Sequence, residues 1–302
     1  MNFRSCQFIR KLPDLSIATP NIKELDLRQC GNLVEVHESV GRLDKLESWD
    51  LKDCIKLQIF PSSLMMKSLK SFCLSGCIRL AKFPNIPQEM EGLKFLNLIG
   101  TAIRELPPSF ENLIGLEQLF VGFYFYSGQI ISSVHKLQHL RGLHLMGDVK
   151  FPEYVEISRR ALLDYYDGFS KYGFPSLNDL SLCFTKNCSE IEFILTYCFP
   201  LSLQSLSIRN RDLTLPESFI RFNRLCWLDI GNFEFLEEIP KLPESIRGVD
   251  ASNCIWLNSQ SLSKLLLQVS LLKKQFCFPN TLLDLLNFKF LNFLIACSFE
   301  KV

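Results

Sequence analysis

Along residues 46–60, apolar side chains fall at offsets of zero, three, five, eight, eleven and fourteen: Leu46, Trp49, Leu51, Cys54, Leu57 and Phe60. Neither a helix nor an uninterrupted strand has that spacing. The step of two from Trp49 to Leu51 is strand alternation, whereas the steps of three suit a chain that coils back and turns one side chain inward at each bend. The same offsets return in Ile22, Leu25, Leu27, Cys30, Leu33 and Val36, and again in Leu69, Phe72, Leu74, Cys77, Leu80 and Phe83. Marked by their first apolar residue, coils begin at positions 22, 46, 69, 93, 116, 140, 177, 203, 225 and 246, with steps of 21 to 26 residues and a single step of 37.

A lone coil cannot bury its apolar side, so the coils must stack, with their strand parts paired in parallel. The pattern therefore predicts a leucine-rich-repeat α/β solenoid. It should be a right-handed superhelix, or horseshoe, with a parallel β-sheet on its concave face and short helices and loops on its convex face. Residues 1–261 are expected to form this domain, with an insertion within residues 146–176. Ser189 and Glu192 form a Ser-x-x-Glu capping box that predicts a short outer helix in the seventh coil. Beyond Leu257, the residues Leu262, Leu265, Leu266, Val269 and Leu272 take up helical spacing. Residues 262–302 thus read as a closing helix and an apolar, non-repeat tail. Phe3, Cys6, Ile9, Leu12 and Pro13 match the second half of a coil, so the chain is expected to begin in mid-repeat, with an N-terminal part missing.

Composition narrows the functional classes. A formal charge of +1 gives no electrostatic bias toward nucleic acid, and the tail's longest uncharged run, Phe290 to Phe299, is too short to span a bilayer. No basic stretch followed by an apolar one precedes the repeats as a secretion signal would. The chain has 12 cysteines. Cys6, Cys30, Cys54, Cys77 and Cys254 share one repeat slot where the chain leaves the strand, and no C-x-x-C occurs. A structural role is expected, each thiol packing inward and donating a weak hydrogen bond to loop backbone.

The coil at Leu93 reads LKFLNLIGTAIRELPPSF, with Thr101 in the cysteine slot. Together with the L-x-x-L-x-L-x-x-C-x-x-L coils, and the late stretch LPESFIRFNRLCWLDIGNFEFLEEIPKLPESIRGVDASNC, it resembles the repeat domain of plant intracellular disease-resistance receptors. Within these it resembles the class that joins a Toll/interleukin-1-receptor domain, a nucleotide-binding domain and leucine-rich repeats. The resemblance implies a non-catalytic module of a cytoplasmic or nuclear receptor. Such a module senses a pathogen effector or a guarded host protein, and takes part in autoinhibition against the receptor's nucleotide-binding domain and in defence signalling. The ADP/ATP exchange and NAD hydrolysis of that class would belong to other domains, as this chain has no G-x-x-x-x-G-K-[ST] loop. A stand-alone adaptor or an F-box-like substrate selector is the alternative.

Offsets two, four and six point away from the core, onto the concave face. That face is the candidate protein-binding surface. Its centre carries Phe95, Asn97, Ile99, Gln118 and Phe120, followed by Gly142, His144 and Met146; Trp227, Asp229 and Asp250 lie near its end. Phe95 and Phe120 stand diagonally on adjacent strands, about 7 to 8 Å apart, as an exposed anchor, with Asn97 and Gln118 supplying adaptable hydrogen bonds. Tyr154, Tyr165 and Tyr166 of the insertion are placed as its rim. Asp229 and Asp250, like Asp26 and Asp50, face each other across adjacent strands as an acid/base pair could. Recurrence at one repeat offset favours a structural origin. His135 and His139 have half of a metal site's spacing, but Lys136 replaces the glutamate of H-E-x-x-H. No catalytic, cofactor or metal site is predicted.

Overall fold

In the computed structural model, ten strands form one parallel sheet, ordered as the coils are ordered in sequence. They are β2 (Glu24–Asp26), β4 (Ser48–Asp50), β5 (Ser71–Cys73), β6 (Phe95–Asn97), β7 (Gln118–Phe123), β8 (Gly142–Gly147), β9 (Asp179–Cys183), β10 (Ser205–Arg209), β11 (Trp227–Asp229) and β12 (Gly248–Asp250). A second, two-stranded parallel ladder pairs β1 (Lys11–Leu12) with β3 (Glu35–Val36) farther around the coils. The structure describes residues 1–123, 137–147, 174–183, 199–209, 217–233 and 235–252, and isolated positions up to 261. The central part of the insertion, the Ser189 capping box, Asn187 and residues 262–302 lie outside the described residues.

The predicted inward offsets form the core. In the coil of Leu46 all six are buried except Phe60, which is half-buried against the core. Within it runs a line of rings: Trp49 lies between Phe60 and Phe72, each 5.0 Å away, and Phe83 stands 6.5 Å from Phe72 and 5.4 Å from Phe110. Burying each large apolar side chain contributes about 1.5–3 kcal/mol, and rings add through offset stacking. The Trp49 indole N–H is buried without a hydrogen-bond partner.

The outer turns are short 3-10 segments, Glu38–Arg42, Pro108–Asn112 and Glu217–Arg221. Pro107 and Pro108 enter the second of these, and its Ser109 and Asn112 side chains bond the backbone of Ile86 in the preceding coil.

The cysteine slot has a specific geometry. Cys30 donates to the Phe3 carbonyl at 3.1 Å, Cys54 to Leu27 at 3.1 Å, Cys77 to Leu51 at 3.3 Å and Cys254 to Ile230 at 3.1 Å. Each thiol thus ties its coil to the previous one. Burial pushes the Cys54 thiol up to about 12 and that of Cys77 higher still, so neither forms a nucleophilic thiolate near neutrality. Thr101 fills the same slot, but its hydroxyl donates to Leu98 of its own coil at 2.9 Å.

The recurring outward Asp or Asn at offset four has a sharper cause than polarity. Asp26, Asp50, Asn97, Asp229 and Asp250 each accept, through Oδ1, the backbone N–H two residues later, at 2.9 to 3.1 Å. This turn withdraws that amide from the sheet and ends the strand. The next residue sits in the left-handed region in Gln29, Asp53, Gly100 and Asn232, and the chain then bends inward to the cysteine slot. These coils have three-residue strands. Where offset four holds Phe120, His144, Ser181 or Ser207, the strand runs on for five or six residues. Cys73 is the exception, at the end of a three-residue strand.

Candidate functional site

The long central strands carry the apolar part of the sheet's outer face. Phe95 pairs in register with Gln118, and Asn97 with Phe120, so Phe95 and Phe120 are diagonal neighbours as expected. Their ring centroids are 5.3 Å apart, closer than the backbone diagonal because both rings lean together. Phe120 pairs in turn with His144, whose ring lies 4.0 Å away and within 3° of parallel. The anchor is therefore a ladder of three rings, Phe95, Phe120 and His144, crossing β6, β7 and β8.

This ladder differs from the expected exposed pair. Phe95, Phe120 and His144 are half-buried, because each covers part of the next. Burial lowers the His144 pKa below the ordinary histidine value, against the opposing pull of Asp179 on the neighbouring strand. Near neutral pH the imidazole is uncharged and extends the apolar platform. Its inclusion was legible in the sequence, since His144 shares offset four with Phe120 on the next strand, but spacing alone could not show the rings stacking.

The polar residues around the ladder are more committed than expected. Asn97 spends its Oδ1 on the Ile99 N–H, so it terminates the strand as well as facing outward. The Gln118 amide lies directly over Gly142, where any added Cβ would collide with it, so that glycine opens the space the side chain occupies. Ile99 is half-buried at the ladder's edge, and Met146, 41% exposed, extends the apolar area past His144. Before the ladder the face is small and uncharged, with Ser71, Cys73 and Ser75, and after it stand Ser181 and Cys183 together with the carboxylate of Asp179. Tyr154, Tyr165 and Tyr166 lie outside the described residues.

Toward the ends of the sheet, charge replaces aromatic surface. Arg28 binds both Asp26 oxygens, at 2.9 and 2.6 Å, and lies 3.6 Å from Asp50. Its guanidinium holds the Asp26 carboxyl below the usual carboxylate range. Asp229 is matched in the same way by Arg209 at 3.0 Å and the Ser207 hydroxyl at 2.9 Å. Asp26 faces Asp50, and Asp229 faces Asp250, in register as expected. Asp26 and Asp229, each held by an arginine, and Asp50 and Asp250, each accepting the amide two residues on, have an evident structural role. Trp227 is 37% exposed, and its indole lies across Gly248 on the next strand. Of the histidine pair, His139 is exposed and His135 lies outside the described residues. Among the described residues no cluster of three His, Cys, Asp or Glu side chains could hold a metal, and no helix is long and apolar enough to cross a membrane.

A second exposed aromatic pair was not foreseen. Phe235 and Trp256, 57% and 56% exposed, occupy offset ten of the last two coils with ring centroids 6.2 Å apart. Earlier coils place Asn32, Lys56 and Arg79 in that slot, so the change from polar to aromatic was readable by aligning coils.

Comparison with known proteins agrees with the repeat signature. The chain is 28% identical over 248 residues to the disease resistance protein RPS4B of Arabidopsis thaliana, an alignment covering 82% of this chain and 19% of that protein. It is 26% identical over 275 residues to the TMV resistance protein N of Nicotiana glutinosa, covering 79% of this chain and 24% of the relative. The chain thus corresponds to less than a quarter of these relatives' length. Among solved structures, a leucine-rich-repeat protein of Leptospira interrogans aligns with a TM-score of 0.41 at 20% identity, covering 86% of this chain and 74% of that one. The model of the leucine-rich repeats of RPS4B-like disease resistance proteins matches residues 65–282, and this chain belongs to that family.

Proposed function

We propose that the chain acts by binding a protein partner on the outer face of its ten-stranded sheet, and not by catalysis. The observation that carries this reading is the Phe95–Phe120–His144 ladder. Three rings are held on rigid strands, half in water, flanked by small residues on the β5 side and by Asp179, Ser181 and Cys183 on the β9 side. That is the composition of a binding hot spot, with an aromatic centre and adaptable polar groups around it. Family membership supports a role in plant disease resistance. In this reading the partner is a pathogen effector or a guarded host protein, met in the cytoplasm or nucleus. There the repeats also contact the nucleotide-binding domain of a larger receptor and hold it inactive. Effector binding releases it by stabilising the open state more than the closed one, since a ligand shifts an equilibrium only by its differential affinity.

The test is to select binders from a library of secreted pathogen proteins with the wild-type chain, then measure each against Phe95→Ala/Phe120→Ala. Loss of binding by about two orders of magnitude, with the fold intact by circular dichroism, is expected. Unchanged affinity across every selected binder would overturn the assignment of this surface.

A further inference from the structure

The last four strands present a different chemistry from the ladder. At their outward positions stand Asp179, Ser181 and Cys183, then Ser205, Ser207 and Arg209, then Trp227 and Asp229, then Gly248, Asp250 and Ser252. Three carboxylates face one guanidinium here, whereas on β2 and β4 Glu24, Asp26 and Asp50 are set against the two cations Arg28 and Lys52. Arg209 is hydrogen-bonded to Asp229 and also feels the charge of Asp250, whose own described hydrogen bond is from the neutral Ser252 N–H at 2.9 Å. Arg221 and Arg247, nearby in sequence, have interactions of their own.

Trp227 stands among these carboxylates. It shares its strand with Asp229 and is diagonal to Asp250 through the register Trp227 to Gly248 and Asp229 to Asp250. A methyl group at Gly248 would collide with indole atoms Cζ3 and Cε3, so the ring lies along the sheet in the space a side chain would fill. The benzo part of the indole covers Gly248, and the ring remains partly open to solvent. An indole face is the strongest π surface among side chains for a cation, and a carboxylate beside it adds direct attraction. An acidic partner would meet repulsion from Asp250 and Asp179, and a purely apolar one would strip water from Asp250 without replacing it.

We infer that the Trp227–Asp250 corner is a subsite for a basic side chain, arginine or lysine, of the partner protein. This deepens the reading that the sheet face binds proteins, and it assigns the partner a basic residue at a place separate from the ladder. The Trp227 ring supplies the platform, Asp250 the counter-charge, and Gly248 the clearance the ring needs to cross onto β12.

Fluorescein-labelled tetra-arginine titrated against the full chain at low ionic strength, read by anisotropy, tests the subsite. Saturable binding is expected, weakened about threefold to tenfold by Trp227→Ala and by a similar factor by Asp250→Asn. Trp227→Phe should retain part of it, and added salt should weaken it. Phe95→Ala/Phe120→Ala should leave it unchanged, so a failure of the ladder and a failure of this subsite are told apart. Absence of saturable binding, binding indifferent to Trp227→Ala, or equal binding of labelled tetra-glutamate would each overturn the inference.

Discussion

Two lines of aromatic rings lie on opposite sides of one sheet, the inner one passing behind β4 and β5 and the outer one crossing β6, β7 and β8. Trp49, Phe60, Phe72, Phe83 and Phe110 pack ring against ring inside the coils, and Phe95, Phe120 and His144 do so on the outer face. Trp49 and Phe72 occupy offset three, whereas Phe95 is at offset two and Phe120 and His144 at offset four. A shift of one residue along a strand moves a ring from core to surface. The interior line fills volume that nothing else would fill. The outer line covers only itself, so its half-buried rings contribute less to folding and remain available to a partner.

The largest expected effect lies in the interior. Trp49→Ala should destabilise the chain by about 3–5 kcal/mol, because the cavity between Phe60 and Phe72 cannot collapse in a stacked solenoid. Trp49→Phe sharpens the contrast. It removes the buried indole N–H that lacks a partner, whose unsatisfied state costs about 1–3 kcal/mol, and loses only part of the ring. The phenylalanine variant should therefore lie within about 1.5 kcal/mol of wild type in urea melts. A loss for Trp49→Phe well beyond that bound would mean that the orphan N–H carries no penalty.

On the outer face, Phe95→Ala/Phe120→Ala should lower stability by about 1–2 kcal/mol, since half-buried rings lose part of their area and their mutual stacking. Partner affinity should fall far more. A loss of stability as large as that of Trp49→Ala would place these rings functionally in the core and erase the distinction.

Much of the fold was legible because its cause is one-dimensional. Each coil repeats the same inward offsets, and Leu46, Leu69, Leu93 and Leu116 are fully buried where the pattern put them. The face residues were legible by the same parity. What spacing could not show is how outward side chains use one another. The lean of Phe95 toward Phe120, the stack of Phe120 on His144 and the collapse of Gln118 over Gly142 depend on rotamers, and on neighbours 24 or 25 residues away. The role of Asn97 was likewise hidden. Its identity suggested an adaptable hydrogen-bonding group, whereas its position makes it the residue that ends β6.

That role sets a smaller effect. Asn97→Ala removes the acceptor for the Ile99 N–H, as Asp50→Ala does for Lys52, and each should destabilise by about 0.5–1.5 kcal/mol, as loss of one local hydrogen bond does. A more informative result is in hydrogen exchange. In Asn97→Ala the Ile99 amide is freed to continue the sheet as the corresponding residues of β7 and β8 do. Exchange at Ile99 faster than wild type would support a lost turn, while slower exchange would show β6 lengthened to match its neighbours.

The smallest effect concerns pH at the junction of the ladder with β9. From β7, His144 is faced by uncharged Gln118 and Phe120. From β9 it is faced by Asp179, Ser181 and Cys183, and its own strand adds Gly142 and Met146. Burial lowers its folded pKa, and Asp179 only partly offsets this. The unfolded chain, with an ordinary histidine pKa of about 6.5, takes up the proton at a higher pH than the folded one. Between those two values the unfolded state holds more protons. The stability contributed by neutral His144 is thus fully present above the unfolded pKa and is lost as pH falls through the folded pKa. His144→Phe keeps a ring on Phe120 and removes the titration. Between pH 7.5 and pH 5, the urea midpoint of wild type should therefore fall more than that of the variant, and partner binding through the ladder should weaken over the same range in wild type alone. Parallel midpoint curves for the two proteins would show that the imidazole is solvated enough to titrate freely, and that the ladder effectively ends at Phe120.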